Sequence, residues 1–78
     1  MNYMIKTANN ERIEIGLFQA GNYYGIVRVY ASSDDLLVSR HDSFDEADSH
    51  YEMLRREYSL PESKMIQHNE TEFYNNYD

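Results

Sequence analysis

Two hydrophobic periods run along this chain, and the change between them falls near residue 40. From Arg12 to Gln19, Ile13, Ile15 and Leu17 fall on one side, with Glu14, Gly16 and Phe18 on the other. That alternation is the mark of a strand. Ala20-Gly21-Asn22 reads as a turn, because Gly and Asn both tolerate positive φ. Tyr23 to Ala31, dense in aromatic and β-branched side chains, completes a hairpin. Ser32-Ser33-Asp34-Asp35 is a polar turn, Leu36 to Arg40 a third and shorter strand, and residues 3–7 either lengthen the first strand or add another. Short turns between consecutive strands predict an antiparallel meander of three or four strands over about residues 3–41.

Beyond residue 41 the period becomes about 3.6. Ser43-Phe44-Asp45-Glu46 fits a capping box, with Ser43 as N-cap and Glu46 three residues on. Phe44, Ala47, Tyr51, Leu54 and Tyr58 then form one apolar stripe, and Leu60-Pro61 ends the helix. A helix is therefore predicted over about residues 44–58. Lys64 to His68 fits a short edge strand or a helical turn, and the rest of residues 62–78 is polar apart from Phe73, Tyr74 and Tyr77. The expected fold is a single α+β domain across residues 1–78, a three- or four-stranded antiparallel sheet with one amphipathic helix packed on one face.

That architecture leaves a problem of coverage. The central strand is apolar on both sides, with Tyr23, Val27 and Val29 on one and Tyr24, Ile26 and Tyr30 on the other, and Phe18 lies opposite Ile13, Ile15 and Leu17. A single helix covers one face only. Burying each large apolar side chain is worth about 1.5–3 kcal/mol, so the second face calls for a cover. The C-terminal aromatics, a second copy of the chain and another protein are all candidates.

Composition narrows the chemistry. In 78 residues there is no cysteine, which excludes disulfides, thiolate metal sites and a thiol nucleophile. No signal-peptide pattern opens the chain and no run approaches a membrane span, pointing to a cytoplasmic protein without a membrane partner. The net charge is −7, and all of it lies in the second half: up to residue 40 acids and bases cancel, whereas residues 41–78 hold ten acids against three bases. Such a balance argues against direct nucleic-acid binding, which rests on Lys and Arg. Glu46 and His50, spaced i, i+4, are a candidate ligand pair, but without H-E-x-x-H or cysteine they read as a surface contact. No serine lies in a G-x-S-x-G elbow, and the paired Asp34-Asp35 sits at a polar turn. A non-catalytic protein without metal or cofactor is expected; metal-dependent catalysis through Glu46 and His50 is the remote alternative.

Two surface features remain. Asp45, Asp48 and Glu52, placed along one side of the helix away from the apolar stripe, would form a negative face that docks on a basic surface. Eight tyrosines are the other, and Tyr24, Tyr30, Tyr74 and Tyr77 are the expected contact anchors, since tyrosine joins apolar area to a hydroxyl. In size, charge and outline, and in the run Ser43-Phe44-Asp45-Glu46-Ala47 that opens an amphipathic helix, the chain resembles small phage- or mobile-element-encoded proteins of the anti-CRISPR or anti-defence type. That resemblance implies an inhibitor or modulator that occludes the nucleic-acid-binding surface of a host nuclease or nucleoprotein. A small structural or regulatory homodimer is the alternative.

Overall fold

A computed structural model describes residues 2–30 and 36–65. Four strands form the meander: β1 (Asn2–Asn9), β2 (Ile13–Ala20), β3 (Tyr23–Tyr30) and β4 (Leu36–His41). The helix α1 (Phe44–Glu57) follows, and a two-residue strand, β5 (Lys64–Met65), returns to the sheet. The order is β4-β3-β2-β1-β5 with every pair antiparallel, so the sheet is five-stranded with one helix packed against it. The expected α+β meander is present. Residues 3–7 belong to a full strand of their own, and Lys64 and Met65 take the edge-strand option by pairing with Thr7 and Lys6. The polar turn at 32–35, His68, Tyr74 and Tyr77 lie outside the described residues.

Local chemistry explains the turns. Asn10 Oδ1 accepts from the backbone N–H groups of Arg12 (2.8 Å) and Ile13 (3.0 Å), which closes the β1–β2 connection. Gly21 has φ 59°, and Ala20 faces Tyr23, so a two-residue loop led by glycine joins β2 to β3.

Two bulges redirect side chains toward the helix. The β1–β2 register slips between Met4 and Lys6, and the β3–β4 register slips between Ile26 and Val27. Each inserts one residue, Ile5 and Val38, that packs against the helix-side core of Ile13, Ile15, Leu17, Ile26, Ala47, Tyr51, Leu54 and Leu60. Each also brings its neighbour, Lys6 or Ser39, within reach of α1.

The second face is not open. Met4, Phe18 and Val27 are 1%, 0% and 0% exposed, and they form their own cluster with Ala20, edged by Tyr23 and Leu37. Phe18 lies across Gly25, its β3 partner, so closely that a Cβ there would stand 2.5 Å from Cζ of the ring. Tyr23 meets the same ring edge-on at 6.2 Å. Met4, Phe18 and Val27 are thus buried within one copy of the chain, while Tyr23, Val29 and Leu37 are partly buried.

Candidate functional site

The helix is held to the sheet by polar groups on both flanks, and these reassign most of the expected site. Its N-terminus follows the capping prediction in part: Ser43, extended at φ −128° and ψ 151°, accepts from Glu46 N–H at 3.2 Å. The reciprocal half of a capping box is replaced, because the Glu46 carboxylate accepts instead from His41 Nδ1 at 3.1 Å. Glu46 and His50 therefore do not form the i, i+4 pair expected from their spacing. His50 turns to β4, where its Nδ1 lies 3.0 Å from Ser39 Oγ and 3.2 Å from His41 Nε2. Ser39 Oγ also lies 3.0 Å from His41 Nε2.

On the opposite flank, Lys6 from β1 pairs with Asp48 and, at 3.1 Å, with Glu52, and its ammonium stands 4.9 Å from the Tyr51 ring centroid. Arg55 completes the group through its Nε, 2.8 Å from Glu52 Oε1. Burial alone would raise the Glu52 pKa, but hydrogen bonds from Arg55 and Lys6 outweigh it and hold the carboxyl below its ordinary value. Burial would likewise lower the Lys6 pKa, and the two carboxylates raise it instead.

This corrects the acidic face. Asp48 and Glu52 do not lie opposite the apolar stripe; at about 100° per residue they fall beside Tyr51, within reach of a lysine that the β1 bulge brings over. Of the three expected acids only Asp45 is exposed. With Asp42 it forms no ion pair among the described residues, and Glu46 meets only His41. Phe44, expected within the core stripe, is 39% exposed and touches the Tyr24 ring edge-on at 5.8 Å. The outer ridge of α1 continues through Ser49, Met53 and Arg56, with Met53 52% exposed.

The expected tyrosine anchors separate. Tyr24 is half-buried beside Phe44 at the helix N-terminal end, because β3 pairs it with His41. Tyr30 is exposed at the other end of β3, opposite Ile13, and stacks on the Arg28 guanidinium at 5.0 Å. Tyr24 and Asp45 are therefore neighbours in one region; Tyr30 is not. Sequence reasoning placed Asp42 with the helix acids but missed Ser39 and His41 as members of this region. The i, i+2 spacing of Ser39 and His41 on one strand face was the available signal.

Chemically, Ser39, His41 and Glu46 are ordered like a Ser–His–acid relay. Yet Ser39 Oγ is shared between two imidazoles, and the cleft of about 180 Å³ lies at the far end of the sheet, among Asn9, Arg12, Ile13 and Val29. No group of three or more His, Asp or Glu side chains among the described residues is arranged to hold a metal ion. No helix among them is long and apolar enough to cross a membrane. Comparison with known proteins found no matching family model, curated protein or solved structure.

Proposed function

We propose that this chain is a non-catalytic protein-binding inhibitor or modulator that docks through the N-terminal end of α1 onto a basic surface of another protein. One observation carries the reading: Asp42, Asp45 and Glu46 are exposed together beside the exposed ring of Phe44, with no Lys or Arg paired to them among the described residues. Asp48 and Glu52, further along the helix, are already matched within the fold by Lys6 and Arg55. An apolar anchor rimmed by uncompensated charge suits a contact whose electrostatics set on-rate and specificity. Their place at the start of α1 is where the helix macrodipole favours negative charge. In the anti-CRISPR-type version of this reading, the partner is a nucleic-acid-binding nuclease or nucleoprotein, and docking blocks its nucleic-acid channel.

The test is affinity capture from nuclease-treated bacterial lysate, followed by titration of the purified partner at rising salt. Asp42→Lys with Asp45→Lys should weaken binding at least tenfold and flatten its salt dependence. Equal affinity of wild type and the reversed variant for every captured protein would remove the proposal.

A further inference from the structure

Ser39 Oγ, His41 Nε2 and His50 Nδ1 enclose a small triangle, with sides of 3.0, 3.0 and 3.2 Å. We propose that this triangle is a binding site for one late transition-metal dication of the Zn²⁺, Ni²⁺ or Cu²⁺ class. It shares Glu46 with the docking surface proposed above but does not rest on that reading.

The spacing supports it first. Two ring nitrogens on one ion at about 2.0–2.1 Å stand roughly 3.3 Å apart at a tetrahedral angle and roughly 2.9 Å apart at a right angle. The observed 3.2 Å separation of His41 Nε2 and His50 Nδ1 lies between those limits. The rings meet nearly perpendicular, at 85°, with centroids 5.3 Å apart, so they converge edge to edge without stacking.

Proton placement supports it next. Glu46 Oε1 accepts from His41 Nδ1 at 3.1 Å, so the His41 proton is held on the outer nitrogen and the Nε2 lone pair points inward. A carboxylate behind a ligating imidazole is the usual orienting partner at metal sites. His50 turns its Nδ1 to the same point, 3.0 Å from Ser39 Oγ and 3.2 Å from His41 Nε2. The Ser39 hydroxyl is a third, weaker oxygen donor, and water completes the coordination. Imidazole donors select Zn²⁺, Ni²⁺ and Cu²⁺ over Mg²⁺ or Ca²⁺, which require more oxygen ligands.

Rigidity and access complete the argument. His41 ends β4 and His50 lies mid-way along α1, two elements whose separation is set by the buried packing of Ala47, Tyr51 and Ile26. Neither histidine is fully buried, and Glu46 is open to solvent, so an ion has a path inward. The nearby carboxylates of Asp42, Asp45 and Glu46 draw cations toward it.

The experiment uses the untagged full chain, titrated calorimetrically with Zn²⁺ and Ni²⁺ and, as a control, Mg²⁺. Wild type should bind one Zn²⁺ or Ni²⁺ saturably and no Mg²⁺. His41→Ala and His50→Ala should each abolish binding, His68→Ala should leave it unchanged, and Glu46→Gln should weaken it by about 10–100-fold. Because an alanine variant can lose its fold, Cu²⁺ is also added to wild type under NMR. The His41 and His50 ring signals should broaden at substoichiometric ion, before those of His68. Absence of saturable binding to wild type, binding that survives in folded His41→Ala and His50→Ala, or broadening of His68 first would each overturn the site.

Discussion

Ser59 follows the C-cap Tyr58 with φ 57°, a left-handed conformation that usually belongs to glycine. Its N–H donates to Arg56 O at 3.1 Å and that of Leu60 to Arg55 O at 2.9 Å, which closes a Schellman-type end, with Leu60 buried against the core. Relief of the Cβ penalty predicts that Ser59→Gly stabilises the fold by about 1 kcal/mol, a melting shift of roughly 4–8 °C upward for a domain this size. A lower melting temperature would contradict the geometry. Gly25→Ala should act oppositely. Its new methyl would meet the buried Phe18 ring, and overpacking of that kind costs about 1–3 kcal/mol in chemical denaturation. Tyr51 gives a third residue-scale expectation. Burial, opposed by the hydrogen bond with Ser63, pushes its phenol up to about 12. A raised folded pKa adds stability that is present below the unfolded value of about 10 and lost as pH rises through the folded one. Alkaline titration followed by tyrosinate absorbance should therefore show a component near pH 12 that Tyr51→Phe removes, and stability should decline across pH 10–12.

The helix as an element is seated by more than its apolar stripe. Ala47, Tyr51 and Leu54 bury the stripe, while Lys6 grips one flank and Ser39 with His41 the other. The two β-bulges make this arrangement, since each turns a polar residue and an apolar one to the same side of the sheet. Glu52 carries a measurable consequence. Its folded pKa lies below the ordinary 4.5, so its contribution is present above the unfolded pKa and lost as pH falls through the folded value. Glu52→Gln should lower stability at pH 7 by up to about 1 kcal/mol, given the partial exposure of the pair, and the gap between variant and wild type should narrow toward pH 3. Urea denaturation at both pH values checks this; an equal gap at each would show that the carboxylate charge is not what matters.

At the scale of the whole molecule, the second sheet face separates two accounts of assembly. Met4, Phe18 and Val27 are buried within one copy, so sedimentation velocity should report a monomer at every concentration tested. A concentration-dependent dimer would require a contact built from exposed groups such as Tyr3, Met53 or Met65 instead. How much of this was legible differs by feature. Alternating apolar residues revealed β2 and β3 to within one residue at their described ends, and the Ser43 cap marked the first turn of α1 where the helix begins. Residues 3–7 stayed ambiguous because the Ile5 bulge breaks the alternation. Phe44 was read as core because its spacing matches the stripe, yet at the first helical turn it overhangs Tyr24 rather than entering the interior.

The candidate site divides in the same way. Local pattern alone determined the meander, the helix, the acidic surplus in the second half and the exposed Asp45, because each depends on periods of two or 3.6 and on near-neighbour capping. Only tertiary structure decided which acids remain unpaired and where the histidines point. Lys6 is 42 residues from Asp48 and 46 from Glu52, and His41 is nine from His50 across a change of element. Those meetings depend on strand register, and one inserted residue in a bulge is enough to turn a side chain from one face to the other.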